Sequence, residues 1–222
     1  MVITIDGPAG TGKSTVSQRV AERLGFDFLD TGAMYRAVAL AVLRRKVDLN
    51  DVETIATVAQ GCRIGFDWNQ RPPGVLLNGE LVAPLIRGSD ATRAASLVAS
   101  VPAVRQVLVR EQQRIGREHG QLVTEGRDQG SVVFPQAELK VYLDASPHER
   151  SRRRVAQLVA RGETVNQQDI LREIIERDQR DSGRTVGPLA IPSGAIVIDT
   201  TALTQDEVVE RIVQHARGSL VA

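Results

Sequence analysis

The stretch GPAGTGKST, Gly7 to Thr15, constrains this chain more than any other feature. It fits the pattern G-x-x-x-x-G-K-[ST] in full. It also lies between an apolar β-branched run, Val2–Ile5, and a segment of helical periodicity that starts at Lys13. By chance the pattern arises in roughly one chain in a hundred of this length, and the strand–loop–helix setting lowers that further. Glycines let successive backbone N–H groups converge on phosphate oxygens, and the helix N-terminus adds its positive end. Gly7, Pro8, Ala9, Gly10, Thr11, Gly12, Lys13, Ser14 and Thr15 are therefore expected to hold a nucleoside triphosphate. Lys13 should reach its β- and γ-phosphates, and the Ser14 hydroxyl should ligate Mg2+.

Around this loop, strands and helices alternate. After Lys13, Val16, Val20 and Leu24 mark one helical face and Gly25 stops it. Phe26–Leu29 reads as a strand and Ala33–Arg45 as a helix with Ala37, Leu40 and Ala41 inward. Leu122–Glu125, Leu139–Asp144 and Ala195–Asp199 repeat the motif of a short apolar run ending at an acidic residue. Such alternation implies parallel βαβ units: an α/β fold with an open, mostly parallel sheet covered on both faces. The middle differs. Arg63–Trp68, Gly74–Leu77 and Glu80–Val82 read as three short strands, with Asn78-Gly79 as a hairpin signal, before helices at Asp90–Ala99 and Pro102–His119. Residues 60–119 are thus expected to be an inserted subdomain with a small antiparallel sheet and helices, residues 1–59 and 120–222 forming the core. Asp206–Arg217 reads as an amphipathic helix closing the fold.

Composition excludes several classes. The 222 residues carry 28 basic and 27 acidic side chains, so no global field would capture nucleic acid, and 3% aromatic residues leave few platforms on which bases could stack. No apolar run approaches the ~20 residues of a membrane span, and MVITIDGPAG, without a basic n-region or cleavage site, is not expected to be a signal peptide. A lone cysteine, Cys62, excludes an internal disulfide and is expected to be a small buried hydrophobe. His119, His148 and His215 lack ligand spacing and are expected at the surface. A cytoplasmic monomer without nucleic-acid or membrane partners is expected. The basic set holds only three lysines, Lys13, Lys46 and Lys140, the rest being arginine. That bias fits either GC-rich codon usage or bidentate phosphate ligands.

Position favours the second. Arginines recur in LDTGAMYR (Leu29–Arg36), at Arg105, in EGRDQG (Glu125–Gly130), in SPHERSRRR (Ser146–Arg154) and in ERDQRDSGR (Glu176–Arg184). Each taken singly could be a solvated ion pair worth a few tenths of a kcal/mol. Five such stretches beside a phosphate loop fit phosphoryl transfer to an acceptor that is itself a phosphate ester. The Asp-x-x-Gly and Asn-Lys-x-Asp strings of a switch GTPase are absent. A small-molecule kinase with another acceptor, and a nucleotide-binding module associated with RNA, remain as alternatives.

With ITIDGPAGTGKST, LDTGAMYR, EGRDQGSVVFP, ERDQRDSGR and GPLAIPSGAIVIDTT in this order and spacing, the chain resembles bacterial cytidylate kinase from Val2 to about Arg217. The resemblance implies the nucleoside monophosphate kinase fold, with residues 60–119 binding the monophosphate and a helical lid over residues 147–165 that closes on ATP. It implies ATP-dependent, Mg2+-dependent phosphorylation of CMP and dCMP to CDP and dCDP. It also implies roles. Thr31 stands at the monophosphate site, and Arg36, Arg127, Arg177 and Arg184 surround the acceptor and donor phosphates. Ser96, Arg105 and Asp128 match a cytosine-reading group, and Asp181 matches a residue near the acceptor ribose. Lys13, Arg127, Arg177 and Arg184 would carry catalysis, with Arg150–Arg161 as the mobile lid stretch.

Overall fold

The computed structural model describes residues 1–221, and five short strands in it form one wholly parallel sheet. They are β1 (Val2–Asp6), β2 (Asp27–Asp30), β6 (Leu122–Gly126), β7 (Leu139–Asp144) and β8 (Ile196–Asp199), in the spatial order β2-β6-β1-β7-β8. A separate antiparallel sheet holds β3 (Ile64–Asp67), β4 (Gly74–Leu77) and β5 (Glu80–Leu81). Its hairpin turns at Asn78 and Gly79, both with positive φ (53° and 88°), as a two-residue turn between twisted strands requires. The helices are α1 (Lys13–Leu24), α2 (Thr31–Arg44), α3 (Val52–Gln60), α4 (Ser89–Val98), α5 (Pro102–His119), α6 (Pro147–Val159), α7 (Gln167–Ser182) and α8 (Gln205–Val221).

Side chains alternate across the parallel strands, so each face of the sheet has its own core. Ile3, Ile5, Val123, Val141 and Leu143 meet Val16 and Val20 of α1 and Val209 and Ile212 of α8. A larger core joins Leu29 and Leu122 to Val38 of α2, Ile55 of α3, Val98 of α4 and Leu108 of α5. Phe66, Val75 and Leu77 of the small sheet belong to that same core, so the inserted strands are stabilised by packing on α2 and its neighbours. A minor cluster of Leu158, Ile170 and Ile174 pins α6 to α7.

The expected architecture holds, with shifted edges. α1 closes at Gly25 (φ 71°), and the Phe26 N–H turns back to donate to the Ala21 carbonyl at 2.9 Å, so β2 starts at Asp27 and not at Phe26. α2 starts at Thr31, two residues ahead of expectation, because the Asp30 side chain accepts from the Ala33 N–H at 2.8 Å and caps it. The α3 helix, absent from the sequence reading, is capped by the Asp51 side chain accepting from the Thr54 N–H at 3.0 Å. Pro102 and Gly120 bound α5 as expected, and Ser146 caps α6 by accepting from the Glu149 N–H.

His119 departs from its expected surface position. The C-terminus of α5 reaches the start of β2, where the His119 Nδ1 lies 2.7 Å from a carboxylate oxygen of Asp27. Its ring stacks on Trp68, with centroids 3.9 Å apart. His148 and His215 are exposed, and Cys62 is half-buried against the larger core.

The tightest backbone constraint is at Gly7, φ 146°, where a Cβ would run into the backbone carbonyl oxygen of Leu143 on β7. Gly7→Ala is expected to cost on the order of 1–3 kcal/mol, seen as a lowered midpoint in thermal unfolding with secondary structure otherwise retained.

Candidate active site

The strands end at one edge of the sheet, where an open α/β fold gathers its ligands. Three loop glycines, Gly7, Gly10 and Gly12, have positive φ, and Gly12 stands as the N-cap of α1 with no side chain to occupy the helix end. Backbone N–H groups are thereby left facing the position of an anion. Lys13 is buried, and its Nζ donates to the Pro8 carbonyl at 2.6 Å, so the loop holds its own lysine in place. Burial, then repulsion from Arg127, pushes the Lys13 ammonium down to about 7, a position that nearby phosphates would reverse. The Ser14 hydroxyl donates to Glu125 Oε1 at 2.6 Å. Burial, then the charge of Asp30, raises Glu125 above the ordinary carboxylate range. Glu125 was not among the expected site residues, although its place at the end of an apolar strand run was visible.

Beside the loop lies a cleft of about 290 Å³, lined by the loop itself and by groups from several other parts of the chain. Thr31, Tyr35 and Arg36 come from α2, Ser96 from α4, Arg105 from α5, Arg127 and Asp128 from the segment after β6, and Arg177, Asp181 and Arg184 from α7 and its exit. Every expected acceptor residue therefore reaches one cavity. Thr31 donates its hydroxyl to the Glu125 carbonyl at 2.7 Å, while Asp30 caps α2. Asp30 also accepts from Arg36 at 2.9 Å.

Asp181 organises the cationic wall. It accepts from Arg127 Nε at 2.9 Å and from Arg184, and Arg177 Nε stands 4.0 Å away. Burial opposes its charge, yet Arg127, Arg184 and Arg177 hold its carboxyl below the ordinary range. Arg177 is itself brought down to about 10, by burial and then by repulsion from Arg127. Nε of Arg36, Arg177 and Arg184 is buried without a partner. Such donors are costly when unmet, and they suit an arriving phosphate.

Deeper in the cleft, Arg105 and Asp128 form a buried pair, with the guanidinium donating to Asp128 Oδ2 and, at 3.3 Å, to the Ala99 carbonyl. The Arg105 guanidinium also lies over the Tyr35 ring, 5.4 Å from its centroid. Arg105 Nε and Ser96 Oγ are buried and unpartnered there. Gly187, φ 59°, lets the chain beyond α7 pass so closely that a Cβ would collide with both members of the pair.

The arginine cluster of α6 divides its work. Arg150 is buried, donating to the Ala145 carbonyl at 2.9 Å and the Ala9 carbonyl at 3.1 Å, and pairing with Asp178 at 2.6 Å. Arg152 and Arg153 pair with Glu149, whereas Arg154 lines the acceptor cleft. Arg180 is exposed and only bonds its own helix backbone. On the other side of the loop, Gly10, Thr11 and Gly12 share a second cleft of about 480 Å³ with Arg152, Arg153 and residues 200–205.

A phosphate loop opening onto a separate, arginine-walled cleft with a polar floor defines the P-loop nucleoside monophosphate kinase class. The fold agrees: shikimate kinase from Bacteroides thetaiotaomicron superposes with a TM-score of 0.52 at 13% identity, covering 100% of this chain and 99% of that one. The sequence is more specific, matching the family model described as cytidylate kinase over residues 3–218. Cytidylate kinase from Caldanaerobacter subterraneus subsp. tengcongensis is 47% identical over 97% of this chain and 94% of its own length. That from a Marinomonas species is 45% identical over 99% and 97%. The chain belongs to the cytidylate kinase family.

Lys13→Met should lower turnover on the order of a hundredfold to a thousandfold, as loss of one preorganised charge-stabilising group does. Steady-state release of the nucleoside diphosphate product, with circular dichroism to verify the fold, reads this out.

Proposed function

We propose that this chain transfers the γ-phosphoryl group of ATP to CMP or dCMP, giving ADP with CDP or dCDP. One observation carries the choice of base: Arg105, Asp128 and Ser96 stand together on the cleft floor, with Arg105 Nε and Ser96 Oγ still unbonded. Cytosine offers an N4 amino donor to a carboxylate, and its O2 and N3 accept from guanidinium and hydroxyl. Uracil reverses donor and acceptor at positions 3 and 4, so Asp128 opposes it.

The acceptor phosphate would lie among Arg36, Arg127, Arg177 and Arg184, with Thr31 beside it, and the ribose near Asp181. The triphosphate would thread the Gly7–Thr15 loop, its nucleoside side in the cleft between the loop and residues 200–205. A phosphate oxygen of CMP then attacks the γ-phosphorus in line as the bond to the β-phosphate oxygen breaks. Lys13 and the arginines balance charge on the equatorial oxygens, and no covalent enzyme intermediate is formed.

Ser14 Oγ and the Glu125 carboxylate are adjacent hard oxygen donors, the chemistry Mg2+ takes. Bound there, the ion would neutralise and orient the donor phosphates. Among the described residues no cluster of three or more acidic, His or Cys side chains could hold a metal alone, so phosphate oxygens would complete its shell.

Residues 60–119 serve in this reading as the acceptor-binding insertion and 147–165 as the lid, Arg154 being a lid arginine that lines the acceptor cleft. Closure excludes water as a competing acceptor. No described helix is long and apolar enough to cross a membrane. A cytoplasmic monomer with only small-molecule partners is the corresponding setting.

A panel of CMP, dCMP, UMP, AMP, GMP and shikimate with Mg·ATP tests the activity. Turnover confined to CMP and dCMP supports it, and faster turnover with any other member overturns the choice of acceptor. In the same assay Asp128→Ala is expected to lower the CMP-over-UMP ratio roughly tenfold to a hundredfold, the worth of a charged hydrogen bond, with the KM for ATP nearly unchanged.

A further inference from the structure

Asp6 is the last residue of β1, one position before the phosphate loop, and it is wholly buried. Sheet register sets it beside Gly126 on β6, two residues short of Asp128. Because Ile3 and Ile5 face α1 and α8, the period of the strand sends the Asp6 carboxylate to the opposite side. There its Oδ1 accepts from the Gln129 N–H at 2.8 Å and its Oδ2 from the Gly130 N–H at 2.7 Å. Both oxygens of one carboxylate are thus committed to the two peptide groups that follow Asp128.

Those two groups open a single π-helical turn, Gln129–Val133, whose first N–H groups have no partner within the turn. At the same place the Asp128 carbonyl accepts from Val132 and Val133 at 2.9 and 3.1 Å. The Gln129 side chain is locked as well, accepting from Thr124 Oγ1 at 2.9 Å and donating to Gln112 Oε1 at 3.1 Å. Gln112 lies two helical turns along α5 from Arg105, on the same face. The base-reading pair is therefore held from below by a carboxylate that belongs to the triphosphate strand.

Resting on the acceptor assignment above, we propose that Asp6 is a positioning residue that sets the Asp128–Arg105 pair relative to the phosphate loop. Discrimination between cytosine and uracil thereby depends on a side chain that touches neither nucleotide. The charged groups facing it are Asp128 and Lys13, one from each half of the site. Burial pushes the Asp6 carboxyl up to about 7, against the pull of the two N–H donors, so this carboxylate is retained at a cost that its partners only partly offset. Asparagine at this position would keep the shape but present an NH2 to one of the two peptide N–H groups, forcing the turn and Asp128 to move.

The test is Asp6→Asn, Asp128→Asn and the double variant, each assayed for kcat/KM with CMP and with UMP and for the KM of ATP. Asp6→Asn should lower the CMP-over-UMP ratio roughly 3- to 30-fold, and should add little to that ratio once Asp128 is already Asn. A purely structural role predicts loss of thermal stability with the ratio intact, or ratio effects that multiply in the double variant, and either result overturns the proposal. Wild-type enzyme that does not prefer CMP overturns the acceptor assignment itself, and this proposal with it. If Asp6→Asn does not fold, the wild-type Asp6 carboxyl carbon is titrated by NMR with CMP or UMP bound. Reciprocity requires the base to act on Asp6 if Asp6 acts on the base. A midpoint displaced more by CMP than by UMP sustains the proposal, and equal displacements overturn it.

Discussion

Repulsion among clustered cations is the constraint on which this structure turns. Lys13, Arg36, Arg127, Arg177 and Arg184 face one cleft of about 290 Å³. Left alone they would drive the cleft apart. Three carboxylates prevent this, each from a different element: Asp181 on α7 against three arginines, Asp30 against Arg36, and Glu125 beside Lys13 and Ser14. Burial, with repulsion from Arg127 behind it, holds Lys13 and Arg177 down, and burial with the charge of Asp30 raises Glu125. On the reading proposed above, a phosphate bound there would relieve the repulsion.

The same balance explains the sheet. A parallel sheet brings the ends of β1, β2 and β6 to one edge, and each of these strands ends in or beside an acidic residue. Alternation along the strands then decides which face each acid serves. Glu125 falls with Val123 on the α1 side and meets Ser14, whereas Asp6 falls opposite Ile5 and meets the peptides after Asp128. Strand geometry, with no further device, sends one carboxylate to the phosphate loop and another to the peptides after Asp128.

Much of this was legible in the residues alone. The phosphate loop, the parallel strands, the Asn78-Gly79 hairpin and the α5 boundaries follow from strong local rules: glycine at positive φ, proline at the first turn, and short apolar runs. The acceptor residues from Thr31 to Arg184 were found through family resemblance, and the fold brings all of them to one cavity. What escaped depends on contacts distant in sequence. Nothing local distinguishes Asp30 from Thr31 as the α2 cap, since both residue types cap helices; the choice is made by the Glu125 carbonyl 94 positions away, which takes the Thr31 hydroxyl. Nor does any pattern near His119 announce Asp27 or Trp68.

That last contact has a use beyond packing. Trp68 is the only tryptophan in the chain, and it follows β3 of the small sheet, while His119 ends α5 and Asp27 begins β2 of the parallel sheet. The sole long-wavelength fluorophore thus sits on the seam between the inserted strands and the core, against an imidazole that holds a carboxylate. Its emission reports how that seam is seated. The molecule carries an intrinsic optical gauge of how its inserted sheet rides on its core, with no label added and the nucleotide clefts left untouched.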